Sequence, residues 1–305
     1  MAAMMATEPR TGPVTEWCDV MGIRTRILRQ GSGIPILFLH GGYAGDPMEV
    51  QSSAIWAPVF ERIGDDARLI AMDRLGQGLT EFPADPDDYT IDAAAAHVIG
   101  TLDALNIPSC HIVGHDEGAF IGAQIAVEHP GRVQSLTLVT ANALTPGADR
   151  RSIVHAHPPV PLRSRHSLRW VYETACYSHQ VVDEGWLDEA VAVAERTGQA
   201  VAQMREGDRY LRRYVKSWTA RRSAIHRVMD RTGLPCPTLV VWGLDDPLAP
   251  ISNAEYLMEL LTPQQRDTEL RIFNRAGYYP FREHPAAFSR VVLSFIRDHD
   301  REENT

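Results

Sequence analysis

The pentapeptide Gly-His-Asp-Glu-Gly at 114–118 places a carboxylate, Asp116, where the chain is best suited to do chemistry. A short apolar strand is predicted to end at Val113, and a helix rich in Ala and Ile follows the pentapeptide at once. This G-x-nucleophile-x-G pattern is typical of a strand-to-helix turn that exposes its central side chain in a strained backbone conformation. The two glycines leave room for the close crossing, and the helix N-terminus offers N–H groups beside Asp116. An ordinary turn is the alternative for this motif taken alone.

Strands and helices alternate in the N-terminal and C-terminal parts of the chain, and these elements must position Asp116. Continuous apolar runs predict buried strands, and amphipathic periodicity predicts helices such as 91–105 and 285–298. Eight strands are predicted, at 16–21, 24–29, 34–39, 68–72, 110–113, 133–140, 238–242 and 269–274. Between the sixth and seventh strands only helical patterns occur, over a stretch too long for a plain connection. We therefore predict a core of 16–144 and 233–299 with a helical lid inserted at 145–232.

Composition limits the classes of partner. The chain has 305 residues, of which 44% are hydrophobic, which suits one large α/β domain with an inserted subdomain. Its formal net charge of −9 argues against nucleic acid and anionic membranes as partners, and no apolar stretch is as long as a membrane span. Four cysteines without a CxxC pair predict a reduced, cytoplasmic protein. No metal-binding spacing is present, so no metal site is predicted.

Four motifs occur in an order that identifies a family. His-Gly-Gly (40–42), Asp-Arg-Leu-Gly-Gln-Gly (73–78), the 114–118 pentapeptide and Trp-Gly-Leu-Asp-Asp (242–246) each lie at the end of a predicted strand. Over residues 16–298 the sequence resembles the α/β-hydrolase superfamily. The resemblance implies a mostly parallel eight-stranded sheet with helices on both faces and an inserted helical lid. The segments 136–147 and 242–250 look like those of meta-cleavage C–C hydrolases.

The resemblance also implies a set of site residues. Asp116 stands at the nucleophile position, where the C–C hydrolases have serine and the epoxide hydrolases and haloalkane dehalogenases have aspartate. The backbone N–H groups of Gly42 and Glu117 would form the oxyanion hole. Asp246 is expected to be the acid of the triad, in preference to Asp245, which is expected to be a turn residue. Tyr278 stands where the family has its catalytic histidine.

The tyrosine changes the expected chemistry. A phenol, with an ordinary pKa of about 10, activates water poorly, so an ester formed on Asp116 would be hydrolysed slowly. Acid–base chemistry by Asp116 and Tyr278 is the first hypothesis: cleavage of a C–C or C–O bond, isomerisation or cyclisation without an ester. A true hydrolase of an epoxide, a C–C bond or an ester is the second, and a non-catalytic ligand-binding protein is the third. Of the other histidines, His115 is expected to point away from the pocket and His284 to face solvent. The lid histidines His155, His157, His166 and His179 could reach the pocket.

The lid is expected to choose the substrate because it is rich in large aromatic residues. An apolar, aromatic or polyketide-like small molecule is the predicted ligand, and no cofactor is predicted. A homodimer is one option for the assembly of the protein. The substrate-binding arginine of the C–C hydrolase lid has no assignable position in this sequence. The residues predicted to contact the substrate are Tyr43, Trp170, Tyr172, Tyr210 and Tyr279.

Overall fold

A computed structural model describes residues 12–42, 46, 48–85, 88–206 and 209–300; for 199–206 and 209–211 it describes the backbone alone. The described chain forms one eight-stranded mixed sheet in the order β1-β2-β4-β3-β5-β6-β7-β8. The strands are β1 (Val14–Val20), β2 (Ile23–Gln30), β3 (Pro35–Leu39), β4 (Arg68–Met72), β5 (Cys110–His115), β6 (Val133–Val139), β7 (Thr238–Gly243) and β8 (Thr268–Phe273). The predicted architecture, that of an α/β hydrolase, is confirmed.

The sheet is antiparallel at one edge and parallel through the rest. β2 pairs antiparallel with both β1 and β4, whereas β3 to β8 pair parallel. The central strands β5, β6 and β7 are buried at every residue, as expected for strands covered by helices on both faces. Parallel strands end at the same edge, so the loops after β3, β4, β5, β6 and β7 meet there.

Helices cover both faces of the sheet. They are α1 (Ala57–Ile63), α2 (Ile91–Ala104), α3 (Glu117–Glu128), α8 (Ser252–Leu261), α9 (Pro280–Glu283) and α10 (Pro285–Asp298). The core is divided by the sheet: one cluster packs around Phe120 and Trp242, and the other packs around Trp56 and Phe281. The predicted helix at 285–298 has the observed bounds, whereas the predicted loop before it contains the short α9.

Helices alone fill the interval between β6 and β7 in the described chain. They are α4 (Arg151–Val154), α5 (Arg165–Ala175), α6 (Glu184–Glu206) and α7 (Arg209–Thr232), with short 3₁₀ turns between them. The helical region is thus inserted as predicted, and its limits at 145 and 232 stay a prediction. No helix in the described part of the chain is both long and apolar enough to cross a membrane.

Candidate active site

Asp116 lies on a sharp turn between β5 and α3. Its φ of 49° and ψ of −109° are unusual for a residue with a side chain, and the turn is fixed by hydrogen bonds from Asp116 N to Val139 O and from Phe120 N to Asp116 O. A Cβ on Gly114 would lie 2.5 Å from the backbone of Ala119. The predicted elbow is therefore present, and glycine is required where the strand and helix cross.

Both oxygens of the Asp116 carboxylate are engaged. Oδ1 accepts a 2.9 Å hydrogen bond from the backbone N–H of Ala143, and Oδ2 lies 2.5 Å from Nη2 of Arg151. Burial pushes the pKa of this fully buried carboxyl up, but the charge of Arg151 and the hydrogen bonds outweigh it, so the net pKa is lowered. Asp116 is consequently ionised at neutral pH despite its burial.

The Tyr278 hydroxyl joins the same cluster. It accepts a 2.7 Å hydrogen bond from Nη2 of Arg151, and its own proton is donated to Asp116, a bond that lowers the pKa of the carboxyl. Burial raises the pKa of Tyr278 well above its ordinary value, and the neighbouring Asp116 raises it further, against the opposing charge of Arg151. Tyr278 is thus a neutral hydrogen-bond donor. Asp116 and Tyr278, predicted to share one site, are thus in direct contact.

Arg151 is the residue of this cluster that sequence analysis missed. It begins α4 in the inserted region and reaches back to the elbow. Burial lowers its pKa, but Asp116 and Tyr278 raise it, and the net pKa is well above the ordinary value. Its buried Nε has no hydrogen-bond partner among the described residues. The only signal in the sequence was the richness of 148–169 in arginine, which does not single out one of them.

Asp246 does not share a hydrogen bond with Tyr278, although the two were predicted to belong to one triad. Its Oδ1 accepts from the backbone N–H groups of Leu248 and Ala249, at 2.8 and 2.9 Å. Its buried Oδ2 has no partner among the described residues. Burial raises the pKa of Asp246 to about 8, so this group is mostly protonated at neutral pH. Asp245, by contrast, is exposed and accepts a hydrogen bond from Arg275 N, as a turn residue would.

None of the candidate histidines replaces the missing imidazole in the described structure. His115 lies behind the elbow, donates through Nε2 to the carbonyl oxygen of Tyr278, and is neutral because burial lowers its pKa to about 4. His284 is bonded to the carbonyls of Asn274 and Arg275. His155 packs against Trp170. The remaining three, His157, His166 and His179, are exposed.

The loop after β3 packs closely on the elbow. Gly42 has a positive φ of 76°, and its carbonyl oxygen accepts from the side chains of Arg74 and Gln77. A Cβ on Gly41 would lie 3.1 Å from Cβ of Asp116. Gly42 is thus held beside Asp116 and at the start of α3, where Glu117 is the first residue. The oxyanion hole made by the N–H groups of Gly42 and Glu117 stays a prediction.

A cavity of about 260 Å³ opens on the Asp116 carboxylate. The elbow and the loop after β6 line one side of it, with Asp116, Glu117, Asn142 and Thr145. The helical insertion lines the other side, with Arg151 from α4 and Tyr214, Trp218 and Arg222 from α7. The cavity therefore combines aromatic walls with a carboxylate–arginine pair, and its volume lies just below the range of about 300–1,000 Å³ that is usual for small-molecule sites.

The aromatic residues predicted to bind substrate lie mostly elsewhere. Tyr172 is buried, stacks on Trp186 and bonds through its hydroxyl to Val50 O, while the hydroxyl of Tyr279 donates to Glu49 at 2.7 Å. Neither they nor Trp170 line the cavity beside Asp116; Trp218 and Tyr214 do. The prediction that Trp170, Tyr172 and Tyr279 line the cavity is therefore wrong, because their rings pack in or against the core beneath the insertion. Tyr43 and the side chain of Tyr210 lie outside the described residues.

The described residues include no group of three or more His, Cys, Asp and Glu side chains arranged to hold a metal ion. All four cysteines are free thiols, and Cys110, Cys176 and Cys236 are buried. The expectations of a cofactor-free enzyme and of a homodimer stay predictions.

The chain matches the family model for the alpha/beta hydrolase fold over residues 34–160. It is 29% identical to the 2-hydroxymuconate semialdehyde hydrolase of Pseudomonas sp. (strain CF600), covering 92% of each chain. It is 28% identical to the 2-hydroxy-6-oxo-2,4-heptadienoate hydrolase of Pseudomonas putida F1, covering 92% of this chain and 95% of that one.

Solved structures give the same fold. A meta-cleavage product hydrolase from Pseudomonas fluorescens IP01 superimposes with a TM-score of 0.72 at 22% identity, covering 93% of this chain and 98% of the other. The 2-hydroxy-6-oxo-6-phenylhexa-2,4-dienoate hydrolase of Rhodococcus sp. strain RHA1 superimposes with a TM-score of 0.74 at 19% identity, covering 93% and 99%.

Proposed function

We propose that this chain, which has the α/β-hydrolase fold and is related to meta-cleavage C–C hydrolases, is an enzyme that transfers protons on a small carbonyl compound bearing a carboxylate. One observation carries the proposal. Arg151 Nη2 bridges the Asp116 carboxylate and the Tyr278 hydroxyl at the cavity, with 2.5 and 2.7 Å separations. An ionised carboxylate and a fixed positive charge therefore face one ligand, and the neutral phenol of Tyr278, which does not itself line the cavity, is hydrogen-bonded to both.

The three groups have complementary roles in such a reaction. Asp116 removes a proton from a carbon next to the carbonyl group, and the C–H electron pair forms a C=C bond as negative charge moves onto the carbonyl oxygen. Tyr278 keeps its proton and its hydrogen bond to Asp116, and the positive charge of Arg151 stabilises the negative charge on that oxygen. The immediate product is the enolate, which becomes the enol by taking a proton from water; if Asp116 instead returns its proton to a different carbon, the product is an isomer.

The substrate class follows from Arg151 and from the names of the relatives. Nε of Arg151 makes no hydrogen bond among the described residues and lies 4.0 Å from Oδ1 of Asp149, and a guanidinium binds carboxylates in fork geometry. The compound named for one relative, 2-hydroxy-6-oxo-2,4-heptadienoate, contains an enol, a ketone and a carboxylate. If its carboxylate draws charge from Arg151, the pKa of Asp116 rises and the carboxylate becomes a stronger base.

Proton transfer without an ester is favoured over hydrolysis because no histidine in the described part of the chain is placed to activate water. Among the described residues, none of the histidines lines the cavity, and Asp246 has no hydrogen bond to Tyr278. Hydrolysis through an ester on Asp116 is the second candidate, because Asp116 is ionised and placed on a nucleophile elbow at the N-terminus of α3.

The test follows deuterium incorporation into 2-hydroxy-6-oxo-2,4-heptadienoate in heavy water by proton NMR. The wild-type protein is expected to speed exchange at the carbons next to the enol and ketone, and Asp116→Asn to lower the rate by about 10²-fold or more. Tyr278→Phe is expected to lower it less. Matched controls are Asp245→Asn and Tyr177→Phe, both at exposed positions. Equal rates in wild type and Asp116→Asn would contradict the proposal.

A further inference from the structure

Glu117 is a second buried carboxyl group in the same cavity. It is the first residue of α3, directly after Asp116, and its side chain lines the cavity with less than a tenth of its surface exposed. Its neighbour Asp149, which also lines the cavity, lies instead in an exposed stretch of chain. The family resemblance assigned Glu117 only a backbone N–H, so its side chain has no role yet.

The contacts of Glu117 fix its side chain from both sides. Oε1 accepts a 3.0 Å hydrogen bond from the hydroxyl of Tyr214 on α7, and Oε2 lies 3.3 Å from Nη2 of Arg74 in the loop after β4. The same guanidinium group donates to the carbonyls of Gly41 and Gly42 and is thus shared among three acceptors. The carboxyl is therefore positioned at the wall of the cavity rather than free to rotate.

On the basis of the proposed function, we infer that Glu117 is the proton donor that works with Asp116 on the same ligand. Asp116 takes the proton from carbon, and Glu117 gives its own proton to the carbonyl oxygen that gains charge. The atoms and charges balance: Asp116 ends protonated, Glu117 ends ionised, and the ligand has become its enol. Exchange with water at the cavity mouth, or the reverse sequence on the product, restores both groups.

The pKa values of the two carboxyl groups are shifted in opposite directions, as a base and an acid require. Burial raises the pKa of Glu117 to about 7, and the negative charge of Asp116 adds to the rise, while Arg74, the Tyr214 hydroxyl and Arg151 oppose it. Asp116, which pairs directly with Arg151, has a lowered pKa. Neighbouring groups whose environments separate their pKa values are suited to act as base and acid.

The test compares Glu117→Gln with wild type across pH 5–9 in the same deuterium-exchange assay. Glutamine keeps the size of the side chain and its hydrogen-bond acceptor but has no acidic proton. We expect the exchange rate to fall by about 10–100-fold and the pH-dependent decrease near pH 7 to vanish. Glu128→Gln is the matched control, because it lies on α3 but pairs with Arg221 outside the cavity.

Tyr214→Phe supplies a second readout that a structural role would not give. It removes the hydrogen bond that lowers the pKa of Glu117, so the pH at which the rate declines should move upward. Unchanged rate and pH profile in Glu117→Gln, with exchange lost in Asp116→Asn, would overturn the inference and leave the proposed function standing.

A second experiment tests Glu117 separately if the proposed function fails. If wild type gives no exchange above buffer, the proposed function fails, and infrared spectroscopy of the protein then decides about Glu117. A C=O stretch of a protonated carboxyl that titrates near pH 7 and is missing in Glu117→Gln supports Glu117 as the group that holds a transferable proton in this cavity. A Glu117 that is ionised throughout pH 5–9 overturns it.

Discussion

Arg151 Nη2 lies 2.5 Å from Oδ2 of Asp116, so a residue of the helical insertion neutralises the carboxylate at the elbow of the core. Without Arg151 this buried carboxylate would have no positive partner and would keep only the hydrogen bonds from Ala143 N and the Tyr278 hydroxyl. An isolated buried charge is costly, and the group would take up a proton instead. The charge state of Asp116 therefore depends on how the insertion packs over the sheet.

Replacing Arg151 by glutamine should raise the pKa of Asp116 and destabilise the fold at neutral pH. Because the pKa of Asp116 is lowered in the folded protein, its contribution to stability is present above about pH 4, the ordinary value, and is lost as pH falls through the folded value. We expect Arg151→Gln to cost roughly 3 kcal/mol of unfolding free energy at pH 7 and less at lower pH. Urea unfolding at several pH values measures it.

Arg150→Gln is the control for that experiment, since Arg150 is the adjacent arginine and is exposed. Its effect should stay within about 0.5 kcal/mol at every pH. Equal losses of unfolding free energy in the two variants at pH 7 would mean that Arg151 does not stabilise the ionised form of Asp116.

Asp246→Asn should stabilise the protein at alkaline pH. Burial raises the pKa of Asp246 to about 8, so the folded protein keeps a proton that the unfolded chain loses above about pH 4. This contribution to stability is present at low pH and is lost as pH rises towards 8. Asparagine keeps an Oδ1 to accept from Leu248 and Ala249. We expect a gain of roughly 2–4 kcal/mol at pH 8 and little at pH 4.

Chemical unfolding of Asp246→Asn beside Asp245→Asn at pH 5 and pH 8 checks this expectation. The exposed Asp245 accepts only a turn hydrogen bond, so its variant should show no comparable gain at pH 8. A loss of stability in Asp246→Asn at pH 8 would indicate that Asp246 is ionised in the fold.

The double variant Asp116→Ser, Tyr278→His should acquire hydrolytic activity. Asp246 Oδ2 is buried without a partner, and an imidazole at 278 would supply one while facing a serine at the elbow. We expect hydrolysis of p-nitrophenyl acetate about 10²–10⁴-fold faster than by Asp116→Ser alone. Equal rates for the single and double variants would mean that a side chain at 278 does not reach Asp246.

Gly118→Ala should destabilise the elbow by packing alone. A Cβ at 118 would lie 2.3 Å from the carbonyl oxygen of Leu39, which belongs to the backbone of β3 and has little freedom to move. We expect a loss of roughly 2–3 kcal/mol in urea unfolding. Gly131→Ala is the control, because a Cβ there would have no atom within 4 Å. Similar stability in both variants would contradict the close crossing of β3 and α3.

Much of this arrangement follows from sequence because local patterns determine it. The elbow at Asp116 depends on two glycines and a strand–helix boundary, and the β-strands depend on apolar runs, all of which are local in the chain. The placement of Tyr278 beside Asp116 followed from the family resemblance, since both lie in motifs at the ends of strands.

The rest depends on packing between segments distant in sequence. Arg151 is one of several arginines in a loop-rich stretch, and only the path of the insertion selects it. Tyr172 and Tyr279 are of a residue type that is common in pockets, yet they lie in the core. The hydroxyl of Tyr172 donates to the carbonyl oxygen of Val50, and the hydroxyl of Tyr279 donates to Glu49. Trp218 was not among the residues predicted to contact the substrate, but the position of α7 puts it in the cavity wall.

Mass spectrometry of the Asp116 peptide after incubation with 2-hydroxy-6-oxo-2,4-heptadienoate in ¹⁸O-labelled water tests most directly whether this carboxylate acts as a base. The account predicts deuterium exchange into the compound in a parallel heavy-water sample, with no ¹⁸O in the Asp116 carboxylate. An ¹⁸O label on Asp116 that requires the compound would contradict it, because the label enters only when water cleaves an ester formed on that residue.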